Sequence, residues 1–190
     1  MSFDYDDMTA QAMANVGLLD TQVNSRNFNQ EAMVIAESKN SRVGKLYKLY
    51  RLTDEMTASV TPHSACRNGC NHCCNMAVSV TVLEAREISK KLGRPYVGVR
   101  KPLDIRDAQE LFMGKPCPLL KDGKCSVYAV RPLSCRVYFN MSDTPDICDV
   151  ITYPNHDIPC LDARGIQLAQ SIALGVDFQD IRDWFPTKKG

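Results

Sequence analysis

The apolar positions in the first third of the chain recur at helical spacing. Met8, Ala12, Val16 and Leu19 lie four, four and three residues apart, which predicts a short helix within residues 1–25. A clearer stripe runs from about Asn29 to Met56 through Met33, Ala36, Val43, Leu46, Tyr47 and Tyr50. Asn40-Ser41 and Gly44 are the expected break that divides it into two helices. Within it, residues 45–51 (Lys-Leu-Tyr-Lys-Leu-Tyr-Arg) read as an amphipathic helix whose Lys and Arg face water rather than nucleic acid.

Beyond a breaker at Ser59–Ser64, which ends in Thr61-Pro62-His63-Ser64, the pattern shortens. Met76 to Val80 reads as a strand or extended piece. Thr81 and Glu84 have capping-box spacing and predict a helix through Ile88 to Leu92, stopped at Gly93 with Pro95 beyond. Asp104 caps a further short helix with Ile105, Ala108, Leu111 and Phe112 on one face. Asp122-Gly123 predicts the turn of a small hairpin, and Pro132 suits the first turn of a helix. A loop carrying Cys148, His156 and Cys160 then leads to a helix over about Leu161–Leu174. Asp177 is expected to cap a last short helix ending near Trp184. The sum is a mainly α fold with a small β-hairpin: a compact single domain built around a cysteine metal site, with flanking helices. Residues 1–60 are expected to act as helical support, 61–140 as the cysteine-cluster core, and 141–190 as a loop and helices packing on that core.

Composition changes this picture at one point. The 190-residue chain has nine cysteines, four of them within nine residues: Cys66, Cys70, Cys73 and Cys74. Cys117, Cys125 and Cys135 follow. The N-terminus is acidic, without the basic and apolar regions of a secretory signal, so the expected address is cytoplasmic, where thiols stay reduced. No apolar run approaches the roughly 18 residues of a membrane span. Disulfides would need export and an even count, and isolated buried thiols do not explain such crowding. Metal ligation does, with Cys66, Cys70, Cys73, Cys74, Cys117, Cys125 and Cys135 as candidate ligands. Gly69, between the first two, lets the backbone turn tightly.

The net charge of +1 is uneven. Residues 66–140 hold 13 Lys and Arg against 6 Asp and Glu, a net +7, while the flanks are negative. Nucleic acid would explain the excess. Compensation of ligating thiolates explains it without an unseen partner, and is the preferred reading. Arg131 and Arg136 flank Cys135 and suit that role through hydrogen bonds to sulfur.

These residues also carry a family pattern. Cys66-x3-Cys70-x2-Cys73-Cys74, Thr81-x2-Glu84, then Cys117-Pro-Leu-Leu-x4-Cys125-Ser-Val-Tyr128-x2-Arg131-Pro132-x2-Cys135-Arg136 resembles the YkgJ-type cysteine-cluster family over residues 66–138. The resemblance implies a zinc- or iron-chelating domain and no settled reaction. Soft thiolates suit zinc or an iron–sulfur cluster, with iron–sulfur slightly favoured. Seven cysteines exceed one tetrahedral site and fall one short of two. Bridging thiolates, His72 or Cys160 are candidates to make up the number. His63 and His156 read as loop residues, and Glu84 as a helix cap. Cys66-x3-Cys70-x2-Cys73 also has the spacing of radical S-adenosylmethionine enzymes, but the 117 residues after Cys73 lack the βα alternation of their barrel.

The leading function is a metal-binding accessory or structural module. A redox enzyme or electron carrier using an iron–sulfur cluster, and a zinc-stabilised nucleic-acid binder, are the alternatives. No nucleophile–base pair or phosphate loop stands out in the sequence, which lowers the enzyme class. The expected partners are a metal ion or cluster and a protein, with nucleic acid less favoured and no membrane.

Overall fold

The computed structural model describes residues 3–23, 26–67, 69–98, 104–154 and 157–187. Helices α1 (Tyr5–Val23), α2 (Phe28–Glu37) and α3 (Arg42–Val60) form the N-terminal third. Asn27 starts α2 by accepting the Gln30 N–H at 3.0 Å. Ser41 starts α3 by accepting the Gly44 N–H at 3.2 Å. The expected break therefore falls at residues 38–41, where a serine supplies the acceptor that the first turn of α3 lacks.

Ala32 and Ala36 let α2 lie close against α7 (Arg164–Leu174), and Asn29 pins the contact by accepting the Ile166 N–H at 3.1 Å. Leu46, Leu49, Leu52 and Met56 of α3 complete this core with Leu133, Phe139 and Met141 from the middle of the chain. Each such Leu, Ile or Phe contributes roughly 1.5–3 kcal/mol of burial. Two residues of the expected stripe, Val43 and Tyr47, are exposed instead. Tyr47 uses its hydroxyl, donating to Glu87 of α4 (Val82–Leu92).

A second core lies under a two-stranded sheet. Strand β1 (Ser79–Thr81) pairs antiparallel with β4 (Phe178–Asp180), placing Val80 opposite Gln179. Asp180 accepts the Val78 N–H at 2.7 Å and the Arg182 N–H at 2.8 Å, and so caps α8 (Ile181–Trp184). The cap is Asp180 rather than Asp177, because Asp180 serves the strand as well as the helix. Trp184 donates its indole N–H to the Val80 carbonyl at 2.9 Å. Val80, Ala85, Ile88, Leu119, Val127, Ile181 and Phe185 fill this core, with Cys117, Cys125 and Cys135 along its border.

A third, small cluster of Met76, Ile147 and Cys148 has Cys73 and Tyr138 at its edge. The remaining elements are α5 (Ile105–Phe112), capped by Asp104 as expected, the hairpin β2 (Leu120–Lys121) and β3 (Lys124–Cys125), and α6 (Leu133–Arg136). The architecture is mainly α with a small hairpin. Among the described residues no helix is long and apolar enough to cross a membrane.

Candidate metal centre

The first cysteine loop is held at both ends. Ala65 donates its N–H to Asn140 at 2.9 Å, which places Cys66, and the Cys66 thiol lies 3.9 Å from the Tyr138 carbonyl. Gly69 takes φ +92°, a left-handed value that a side chain would strain, and turns the chain toward Cys70. His72–Asn75 is a single 3-10 turn carrying Cys73 and Cys74. Neighbouring side chains leave such a turn about a third of a turn apart, and the Cys73 and Cys74 thiols still lie close enough to hydrogen-bond to each other.

The downstream segment docks on Cys74. The Cys117 N–H donates to the Cys74 carbonyl at 2.7 Å, and the Gly114 N–H donates to the Asn75 carbonyl at 2.7 Å. The Asn71 side-chain amide reaches the Gly123 carbonyl at 3.2 Å and so clasps the hairpin tip. That tip has φ +50° at Asp122 and +71° at Gly123, the pair of left-handed values of a tight two-residue hairpin turn. It folds Cys125 back beside Cys117. Cys135 arrives on α6, fixed by two hydrogen bonds: Ser134 to the Ser79 carbonyl at 2.8 Å, and the Leu133 N–H to Glu84 at 2.7 Å.

Glu84 does more than cap α4. Its carboxyl also accepts the Thr81 N–H and hydroxyl, both at 2.9 Å, and the Gln170 amide at 3.0 Å. All four partners are donors, and the group is fully buried. Burial pushes its pKa up and the four donors pull it back, with burial the larger effect. One carboxyl thus ties α4, α6 and α7 together beneath Cys135.

Cys74, Cys117, Cys125 and Cys135 form one electrostatic group. A hydrogen bond with Cys73 and then burial push the Cys74 thiol up. Burial pushes Cys117 up to about 11, and raises Cys125 and, most strongly, Cys135. Negative charge on Cys117, Cys74 and Cys125 would raise Cys135 further, a repulsion that a bound cation would relieve. The Leu119 N–H offsets the rise at Cys117, as the Val127 N–H does at Cys125. Arg182 favours the thiolates of Cys74 and Cys117, and Arg131 that of Cys125.

A soft cation fits this donor set, since it would replace the protons and cancel the repulsion. Among the described residues no three His, Cys, Asp or Glu side chains already stand in a metal-holding arrangement. Binding requires the thiols to lose their protons.

The arginines differ from expectation. Arg136 is buried over the Tyr50 ring, 4.1 Å from its centroid, and donates to Asp54 and to the Arg131 and Ala129 carbonyls. Arg131 stacks on Tyr128 and reaches Asp54 at 3.5 Å. Their hydrogen bonds go to oxygen because the Asp54 carboxylate and bare carbonyls lie nearer than sulfur. Arg182, outside the motif, was not singled out by its sequence context. It donates to the Cys74 carbonyl at 3.3 Å and to the Lys115 carbonyl, bracing the junction of the two halves.

Of the remaining cysteines, Cys73 touches this group, because its thiol hydrogen-bonds with that of Cys74. Negative charge on Cys70 would raise Cys66, and charge on either would raise Cys148. Cys73 borders the third cluster beside Cys148. His72 acts electrostatically on Asp149. His63 sits in a 3-10 turn, Thr61–His63, and His156 lies outside the described residues.

Residues 65–156, which include eight of the nine cysteines, match the family model described as "CxxCxxCC: Putative zinc- or iron-chelating domain". No curated protein and no solved structure matches the chain. The match supports metal chelation as the role of the segment in which the hairpin meets the first cysteine loop.

Proposed function

We propose that the protein is a metal-binding module of the YkgJ type, whose motif cysteines hold zinc or an iron–sulfur cluster in an accessory or structural role. Cys74, Cys117, Cys125 and Cys135 are its central ligands. Cys66, Cys70 and Cys73 extend the motif on the other side of the 3-10 turn. The observation that carries the reading is the pairing of Cys117 N–H with the Cys74 carbonyl, which gathers thiols about 40 residues apart in sequence beside one another.

Zinc held there would be tetrahedral and redox-silent, and four thiolates around it would leave a formal charge of about −2. Arg131 and Arg182 are the cations whose fields favour these thiolates, which supports internal compensation as the use of the basic excess. The group also cross-links the first loop, the hairpin and α6, three short pieces with little core of their own. That supports a structural role, because metal ligation can supply roughly 10 kcal/mol or more to such a fold.

The test is elemental analysis and acid-labile sulfide on anaerobically purified protein, with its visible spectrum. Zinc or iron at one equivalent or more per chain supports the reading. Metal-free protein with its native fold intact refutes it. Colour that bleaches on reduction would select the iron–sulfur form.

A further inference from the structure

Two cysteines outside the proposed motif ligands, Cys148 and Cys160, come from distant loops to the side of the fold where Cys66 and Cys70 lie. Cys66, Cys148 and Cys160 meet at Asn140, which is completely buried, and the turn in which the Cys70 N–H donates to the Arg67 carbonyl at 3.0 Å keeps Cys70 on the same loop as Cys66. The Asn140 carbonyl accepts the Ala65 N–H at 2.9 Å, and its backbone N–H faces the Cys66 sulfur. Its side-chain amide donates to the Cys148 sulfur at 3.3 Å and to the Thr144 carbonyl at 2.8 Å. Its backbone pairs antiparallel with Cys160, flanked by Met141 N–H to the Pro159 carbonyl at 2.8 Å and Leu161 N–H to the Phe139 carbonyl at 3.1 Å. Tyr138, whose carbonyl faces the Cys66 thiol, hydrogen-bonds through its hydroxyl to Cys160. The turn Asp146–Cys148 packs on the turn His72–Asn75, which closes the group from below.

We infer a second thiolate metal site made by Cys66, Cys70, Cys148 and Cys160, organised by Asn140 and separate from the Cys74, Cys117, Cys125 and Cys135 group. The inference rests on the metal-binding reading proposed above and deepens it.

Hydrogen bonds from amides to sulfur stabilise thiolates and orient ligands, and Asn140 gives one to each of two sulfurs. The two groups also border different apolar clusters: Cys117, Cys125 and Cys135 the second core, Cys66 the first and Cys148 the third. Seven cysteines fall one short of two tetrahedral sites, but the nine cysteines fill two and leave Cys73 between them. The ligand is a soft, thiophilic cation, zinc or iron, bound by sulfur alone. Cys148 is buried and Cys160 exposed, so the metal would enter at the Cys160 edge.

The test uses the whole chain, purified anaerobically, as wild type, Cys160→Ser, Cys148→Ser/Cys160→Ser and Cys125→Ser. Each is measured for metal and sulfide per chain and for its spectrum. Cys160→Ser tests the site without disturbing a buried residue. The inference expects the Cys160 and double variants to lose one site's metal and keep the other's, and Cys125→Ser to lose the complementary share. Mass spectrometry after alkylation gives a readout independent of mutation: Cys148 and Cys160 should be protected in loaded protein and modified after chelation.

If wild type binds metal but both Cys160 variants keep its full content and spectrum, the second site is refuted while the metal-binding reading stands. Wild type free of metal overturns both. Equal alkylation of Cys148 and Cys160 before and after chelation also refutes the second site.

Discussion

Replacing Glu84 by Gln removes one acceptor from a carboxyl surrounded by donors. Oε2 accepts three hydrogen bonds, from the Thr81 N–H and hydroxyl and from Gln170, while Oε1 accepts one, from the Leu133 N–H. The best amide orientation keeps oxygen at the three-donor position. The new NH2 then meets the Leu133 N–H, which lies 2.7 Å from the oxygen it replaces. A buried donor stranded in this way costs roughly 1–3 kcal/mol, and two opposed donors must also separate. We expect a loss of about 2–3 kcal/mol, or a Tm lower by roughly 5–10 °C for a chain of this size. The displacement falls on the turn that carries Cys135, so metal should also leave faster. Glu84→Ala strands all four donors and should cost more. Urea unfolding of metal-loaded protein, together with the rate of metal transfer to a chelator, measures both effects. A Glu84→Gln protein within about 0.5 kcal/mol of wild type, with unchanged metal release, would refute the role given to this carboxyl.

Cys74→Ser should lose the metal shared with Cys117, Cys125 and Cys135. Cys73→Ser, at the border of the two groups, should retain more, and identical metal content and spectra for the two variants would contradict the assignment of Cys74 rather than Cys73 to that group. Arg182→Gln should weaken metal retention roughly tenfold or more, read by chelator competition, because it removes the charge beside Cys74 and Cys117 and the brace on the Lys115 carbonyl. Chelation should abolish hydrogen-exchange protection in the hairpin and α6 before it does so in α2, α3 and α7, whose core is apolar; uniform loss across the chain would count against metal-coupled folding of the cysteine segment. In the metal-free fold the Cys117 pKa is raised from 9 to about 11, so folding binds a proton that the unfolded chain releases earlier. Its contribution to stability is complete below about pH 9 and falls as pH rises toward 11, a slope that Cys117→Ser should reduce in pH-dependent unfolding.

Local chemistry was legible in the chain, and long-range pairing was not. Thr81 and Glu84 lie three residues apart, and the capping box they form is the one their spacing implies. Asp122-Gly123 closes its hairpin because both residues tolerate left-handed backbone. Asp180 was misread because half of its work is accepting the N–H of Val78, 102 residues earlier, and no local pattern encodes β1 pairing with β4. Val43 and Tyr47 fit a helical stripe by spacing alone. Their exposure depends on where α7 and α4 lie, which spacing does not specify. The cysteine motif pointed to metal chelation, and the family match over residues 65–156 agrees with it. The approach of Cys148 and Cys160 to Cys66 was not legible, because it depends on Asn140, a residue type with no signature at that position. Arg131 and Arg136 were placed beside sulfur by sequence adjacency, yet Asp54, far upstream, takes their charge.

X-ray absorption at the metal edge of the loaded protein tests the central claim most directly. The account predicts a first shell of sulfur alone, at about 2.3 Å if the metal is zinc. A first shell dominated by nitrogen or oxygen at about 2.0–2.1 Å would contradict it.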